Sequence, residues 1–306
     1  MKILIATEKP FAAPAVNAIR QVVETADMTL TLLEKYTEKA QLLNAVTDVD
    51  AIIIRSDIID SEVFDAAGQL KIVVRAGAGY DNVDLASATA HNVCVMNTPG
   101  QNANAVAELA FGLMVCGVRN FFNGTSGTEM KDKTLGIHAY GNVGRCVARI
   151  ARGFGMEVYA FDPFLSAETI EKDGIRALSS AAELYSVSRF VSLHIPATAE
   201  TKNSIGYDLL ISMPKNAMLV NTARKEVIHE AELLKVMDIR PDFKYLTDIM
   251  PDCHPELSEK FAGRYFSTPK KIGAQTAEAN NNAGIAAAEQ IVDFLKNGNE
   301  RFRVNR

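Results

Sequence analysis

The sequence predicts an α/β protein built on parallel sheets in two domains, and three observations carry the prediction. Apolar runs of strand length alternate with stretches of helical periodicity along the chain. One stretch, Lys133 to Pro163, reads strand, glycine turn, helix, strand, acid. The 306 residues also exceed what one core usually serves, since single cores stop growing near about 250–300 residues.

The stretch from Lys133 to Pro163 organises the rest. Thr134 to Ala139 is an apolar run long enough for one buried strand, and Val143, Val147, Ile150 and Phe154 then recur at helical spacing. Gly155 closes the helix, Met156 to Phe161 forms a second strand, and Asp162-Pro163 ends it. This is the dinucleotide-binding arrangement in its required context. The amides around Gly141, Asn142 and Val143 would meet a pyrophosphate at the positive end of the helix, and Gly144, the last glycine of the fingerprint, is counted with them at the cofactor. Asp162 lies 18 residues beyond Gly144, where a carboxylate accepts the hydroxyls of an adenosine ribose and repels a 2′-phosphate, so NAD is expected over NADP. The first glycine of the fingerprint is Ala139 here. Its methyl group is tolerable if the residue keeps a negative φ, with the turn opening slightly.

Composition is that of a globular chain, 48% apolar and 23% charged, with a formal charge of −5. That balance argues against bulk attraction to nucleic acid or an anionic membrane, so an anionic substrate must be held by local arginines. No basic-then-apolar leader and no apolar run of about 18 residues is present, which leads to the expectation of a cytoplasmic protein without a membrane span. Cys94, Cys116, Cys146 and Cys253 are scattered without metal or redox spacing, so reduced thiols and no metal are expected.

Taken in order, KILIAT at the N-terminus reads as a strand, and Pro14 to Glu24 as a helix with proline in its first turn. Strand-length runs follow at Met28–Leu33, Ala51–Ile54, Ile72–Val74 and Val93–Met96. Two of them end in arginine, Arg55 and Arg75, and the second is followed by Gly77-Ala78-Gly79, a loop able to aim successive amides at an anion. Asn102 to Val118 carries a broad apolar stripe and predicts a buried helix, and Asn120–Lys131 a polar surface loop. Beyond Asp162 come a helix, a weak strand near Arg176–Leu178, a helix over Ser180–Val187, and a strand from Arg189 into His194-Ile195-Pro196. Met213 to Arg224 reads as a helix end, a buried strand and an arginine at its carboxyl end, where open α/β sheets place ligands. Lys244 to Ile249 is a further strand carrying Asp248.

RAGAGYDNVDL and VMNTPGQNANAVAELAFGLM, with the fingerprint and the later strand ends, resemble the D-isomer-specific 2-hydroxyacid dehydrogenases over nearly the whole chain. The resemblance implies two doubly wound domains: a Rossmann NAD domain over residues 99–276, inserted into a flavodoxin-like substrate domain of residues 1–98 and 277–306. It implies that the loop Ala76–Gly79, with Arg55, Arg75 and Asn102, holds an anionic substrate, and that Arg224 is the catalytic arginine. It places Ala78, His194, Ile195, Pro196, Thr201, Thr222, Ala223, Arg224, Asp248, Lys271, Gly273 and Ala274 along the cofactor. It also implies a homodimer formed through the Rossmann domain. Longer relatives carry a C-terminal regulatory domain, and since this chain ends soon after Asn297 no serine feedback of that kind is expected.

Two departures from the family pattern bear on mechanism. The catalytic glutamate position is Cys253, within Pro-Asp252-Cys253-His254-Pro, and Asp252 and His254 are alternative acids or bases if that loop shifts. Where the family has its proton-exchanging histidine, this chain reads Thr268-Pro-Lys-Lys-Ile-Gly-Ala, which offers Lys271, or its neighbour Lys270. A lysine starts near pKa 10.4 (about that value in peptides) and must be lowered to act as a base, by burial and by neighbouring positive charge. A glutamate alongside would raise it, so loss of the acid and arrival of the lysine are mutually consistent. The expected activity is NAD-dependent oxidation of a phosphorylated 2-hydroxy acid, D-3-phosphoglycerate, in serine biosynthesis. The alternatives are reduction of glyoxylate, hydroxypyruvate or D-lactate's keto acid, and a non-catalytic NADH-binding regulator.

Overall fold

In the computed structural model, which describes residues 1–305, the chain divides into two units. The first comprises Met1–Asn102 together with the chain from Gln275 onward, and the second Ala103–Ala274.

The first unit runs β1 (Lys2–Thr7), α1 (Ala13–Thr25), β2 (Thr29–Glu34), α2 (Lys39–Ala45), β3 (Ala51–Ile54), α3 (Ser61–Ala66), β4 (Ile72–Arg75), α4 (Leu85–Ala90) and β5 (Cys94–Asn97). The strands form one parallel sheet in the order β2-β1-β3-β4-β5, the flavodoxin-like arrangement. Residues Ala51 to Ile54 of β3 are all fully buried, which is why that strand is continuously apolar rather than alternating: helices cover both faces. Asp60 and Asp84 cap α3 and α4, accepting from Val63 N and Ser87 N.

The second unit opens with α5 (Ala103–Val118) and continues through β6 (Thr134–His138), α6 (Asn142–Gly153), β7 (Glu157–Phe161), α7 (Ala167–Glu171), β8 (Arg176–Ala177), α8 (Ala181–Val187) and β9 (Phe190–Leu193). Next come α9 (Tyr207–Ser212), β10 (Met218–Asn221), α10 (Glu230–Ile239), β11 (Lys244–Thr247), α11 (His254–Lys260) and β12 (Tyr265–Ser267). Its seven strands are parallel in the order β12-β11-β10-β9-β6-β7-β8. The strand order reverses between β6 and β9, and a crevice at such a reversal, outside the carboxyl ends, is where doubly wound sheets bind ligands. Residues Leu135, Ile137, Val147, Ala151 and Ala160 form the core between α6 and the sheet. Gly117 of α5 admits close approach to the sheet, since a Cβ there would lie 2.6 Å from Met218 Cε.

The chain then returns to the first unit as α12 (Ala277–Asn297), packed on α1. Its inward face is small (Ala283, Gly284, Ala287, Ala288) because the neighbours are large: a Cβ on Gly284 would meet Ile19 Cδ1 at 2.9 Å and Phe11 Cε1 at 3.0 Å. No helix among the described residues is long and apolar enough to cross a membrane.

Candidate active site

The turn after β6 lies at the strand reversal. Gly141 is the N-cap of α6 and donates no side-chain cap, so the first amides of that 12-residue helix are open to an anion. Gly144 is the close-packing position, for a Cβ there would sit 2.5 Å from Ala139 O, whereas one at Gly141 would meet nothing within 4 Å. Asp162, at the end of β7, accepts from Tyr140 N at 2.8 Å and Phe164 N at 2.9 Å, which aims its carboxylate across the turn. Ala139 does not meet the condition of a negative φ: its φ is +75°. The turn keeps the left-handed geometry a glycine would adopt freely, and the alanine accepts the steric cost, about 1–2 kcal/mol.

At the end of β9, His194 donates its backbone N–H to His138 O (2.9 Å), and its Nε2 lies 3.0 Å from Ser192 Oγ. Burial and the adjacent His138 push its pKa down to about 3, so it is a neutral imidazole rather than a base. Ile195 is buried, and Thr201 Oγ1 donates to Pro196 O at 2.6 Å, closing the loop that follows. At the end of β10, Thr222 and Ala223 are buried, and Asn221 splints this turn by accepting from Ala223 N and donating to Arg224 O, both at 2.9 Å. Thr222 Oγ1 is buried without a partner. An orphaned hydroxyl at this strand end, an open helix N-terminus and a carboxylate after β7 together fit a dinucleotide.

Arg224 is exposed and extended (φ −145°), with Nη1 donating to Ala223 O at 2.9 Å, and Lys225–Val227 form a short 3₁₀ turn after it. The loop after β12 carries Lys271, whose Nζ donates to the same Ala223 carbonyl at 3.3 Å. Lys271 is exposed as a residue, yet its ammonium lies against Ala223 O and feels Arg224. Burial first and Arg224 second lower its pKa to about 8, against opposing pulls from Asp248 and Glu226. Lys270 is exposed and makes no hydrogen bond or ion pair among the described residues.

Asp248, fully buried at the end of β11, pins this loop. Its Oδ1 accepts from Thr268 Oγ1 and Ile272 N, both at 2.9 Å, and its Oδ2 from Gly273 N at 2.8 Å. A Cβ at Gly273 would come within 2.9 Å of Asp248 Oδ2, so the backbone can approach only because that residue is glycine. Little in the sequence pointed to this clamp, because two of its three donors are backbone amides. Ala274 closes the unit.

The Asp252-Cys253-His254 segment is otherwise engaged. Asp252 pairs with Lys225 at 2.5 Å, Glu230 accepts the backbone amides of Asp252 and Cys253, and His254 Nδ1 lies 2.8 Å from Tyr265 OH. Burial and Glu230 push the Cys253 thiol up to about 12, so it holds its proton.

In the first unit, Arg55 and Arg75 sit together at the ends of β3 and β4. Arg75 Nε donates to Arg55 O at 3.0 Å. Arg55 is anchored by Lys9 O (2.8 Å), Pro10 O (3.1 Å) and Asn280 Oδ1 (2.8 Å), with Phe11 beneath its guanidinium. Neither arginine is in an ion pair among the described residues, and burial lowers the pKa of both, that of Arg75 further through Arg55. The carbonyls of Gly77 and Ala78 accept from Thr98 N and Asn97 Nδ2, and the Gly77, Ala78 and Gly79 amides have no hydrogen-bond partner among the described residues. Asn102 is the last residue of this unit's first segment. Among the described residues no group of three or more His, Cys, Asp or Glu side chains could hold a metal ion.

Residues 117–265 match the family model described as D-isomer specific 2-hydroxyacid dehydrogenase, NAD binding domain. Over 273 residues the chain is 32% identical to a D-3-phosphoglycerate dehydrogenase of Methanocaldococcus jannaschii, covering 84% of this chain and 52% of that protein. The chain thus spans about half the length of that relative. It is 33% identical over 289 residues to a hydroxypyruvate reductase of Thermotoga maritima, covering 87% and 91% respectively. Among solved structures, it is similar to an NAD⁺-bound 3-phosphoglycerate dehydrogenase of Entamoeba histolytica, with 46% identity, a TM-score of 0.85, and coverage of 100% of this chain and 99% of that one. With these likenesses and the two parallel sheets, the chain belongs to the D-isomer-specific 2-hydroxyacid dehydrogenase family.

Proposed function

We propose that this protein is an NAD-linked dehydrogenase that oxidises a small anionic D-2-hydroxy acid, with D-3-phosphoglycerate as substrate, the first step toward serine. The observation that carries the reading is an amine of pKa about 8 beside Arg224, on a loop clamped by Asp248. When bound, the nicotinamide would supply the hydride chemistry at C2. Gly141, Asn142, Val143 and Gly144 would bind the pyrophosphate, Asp162 the adenosine ribose, and Thr222 a further polar group of the cofactor. Arg224, with its planar fork, would grip the carboxylate and the C2 oxygen. Lys271 would take the hydroxyl proton at its Nζ, which a neighbouring guanidinium keeps ready to be neutral. Arg55, Arg75 and the free amides of Gly77, Ala78 and Gly79 would hold the substrate's anionic groups. Two unpaired arginines favour a second anionic group, a phosphate, besides the carboxylate.

Single-turnover hydride transfer tests the proton role: Lys271→Ala should slow it by about 10²–10⁴-fold with NADH affinity retained. Wild-type turnover in that variant would remove Lys271 from the mechanism. The similarity to a hydroxypyruvate reductase over 91% of that protein supports a second reading, an unphosphorylated substrate. Comparing kcat/KM for phosphoglycerate and for glycerate separates the two. Tight NADH binding with no turnover of any 2-oxo acid would point to a regulator instead. Homodimerisation through the dinucleotide-binding unit belongs to the same reading, and sedimentation tests it.

A further inference from the structure

A cavity of about 300 Å³ opens in the second unit at the amino ends of β9, β10 and β11, opposite the strand ends that carry Thr222 and Asp248. Two cations from adjacent positions line it: Arg189, just before β9, and Lys244, the first residue of β11. Lys244 Nζ donates to Gly117 O at 2.6 Å and to Asn120 Oδ1 at 3.0 Å, which leaves one of its three N–H bonds unassigned. Arg189 makes no side-chain hydrogen bond among the described residues: its guanidinium lies over the Phe190 ring, and its Nε is buried without a partner. Neither cation has an ion pair among the described residues. The carboxylate that also lines the cavity, Asp242, is committed: it pairs with Arg240 at 2.6 Å and accepts from Asn216 N at 2.6 Å. Ser126, Thr128 and Asn216 add polar groups to the wall.

A helix-capping role explains Lys244, whose ammonium meets the last turn of α5, but not Arg189. A half-buried guanidinium with an orphaned N–H costs free energy unless something accepts from it. Placing a second unneutralised cation beside it adds repulsion, and burial together with Arg189 does lower the Lys244 pKa. One occupant would relieve both costs. We propose that this cavity is a binding site for a small free oxyanion, phosphate or carboxylate, held by the fork of Arg189 and the ammonium of Lys244. The volume suits a compact metabolite rather than a nucleotide. The site is independent of the catalytic reading, since none of its residues is assigned to cofactor or substrate.

The test is isothermal titration with inorganic phosphate at constant ionic strength and saturating NADH, comparing wild type with Arg189→Gln. Other anion sites contribute equally to both proteins, so the difference isolates this one. We expect Arg189→Gln to weaken one saturable phosphate site at least ten-fold, Arg189→Lys to weaken it less, and NADH affinity to be unchanged. Malonate in place of phosphate, run in the same two proteins, distinguishes a carboxylate ligand from a phosphate. Should Arg189→Gln fold poorly, Ser126→Glu offers a carboxylate at the cavity wall and should displace phosphate from that site. Superimposable phosphate and malonate isotherms for wild type and Arg189→Gln would overturn the proposal. So would an unchanged isotherm accompanied by a loss of oligomer, which would mean a second copy's carboxylate fills the cavity.

Discussion

Two residues show how local chemistry departs from a family pattern without abandoning its geometry. Ala139 holds φ at +75° where a glycine would be unstrained. The strain of about 1–2 kcal/mol exceeds the extra unfolded-state entropy a glycine brings, about 0.4–1 kcal/mol. Ala139→Gly should therefore stabilise the protein by about 0.5–1 kcal/mol, read as a shift in the urea midpoint at constant m. Lys271 makes a pH prediction. Alcohol oxidation needs the neutral amine, so kcat/KM in that direction should rise with pH through about 8 and level off above it. The reverse reduction, which needs the ammonium, should fall over the same range. An oxidation profile that is flat between pH 7 and 9 would exclude the amine as the titrating base.

The loop from Thr268 to Gly273 has little structure of its own and is held by one carboxylate. Asp248 accepts three hydrogen bonds from it while sitting fully buried. Asp248→Ala would leave the Ile272 and Gly273 amides unpaired, since Thr268 Oγ1 keeps the Asp248 backbone carbonyl as a partner at 3.0 Å, a loss of about 2 kcal/mol or more, visible as a lowered melting temperature. Asp248→Asn keeps the shape and removes the charge, and the charge is one of the influences raising the Lys271 pKa. The oxidation profile of Asp248→Asn should therefore move to lower pH, with kcat reduced as the loop loosens. A fall in kcat with an unmoved profile would restrict Asp248 to a purely structural part. Stretches such as α11 and β12 were not legible beforehand. They are short, and β12 pairs only with β11, so its residues Tyr265 to Ser267 carry neither a long apolar run nor a clear alternation.

Stability of the whole molecule should carry the mark of two histidines beneath the strand reversal. His138 is buried against Phe161 and Tyr185, and burial pushes its pKa down to about 4, while that of His194 falls to about 3. Both values lie below the ordinary 6.5, so the unfolded chain binds these protons first. Their contribution is fully present above about pH 6.5 and declines as pH falls toward the folded-state values. The melting temperature should drop on acidification through that window, and His138→Phe should flatten part of the drop. An identical acid profile in wild type and variant would show that other groups govern it.

Local pattern alone determined a good deal. β3 falls on Ala51–Ile54 as its apolar run required, and β6, α6, β7 and Asp162 follow from spacing within one stretch of chain. The sheet architecture follows from alternation, because parallel strands need covering helices and long crossovers. Lys271 stood out as the residue in the histidine's place. What the linear chain did not contain was environment. Whether that lysine is lowered depends on Arg224, 47 positions away in sequence, and on a clamp two of whose three donors are backbone amides, invisible in any side-chain pattern. The positive φ of Ala139 and the unpaired cations of Arg189 and Lys244 are likewise set by what folding brings alongside them. Desolvation and neighbouring charge arise only when distant segments meet, so they are properties of the tertiary structure alone.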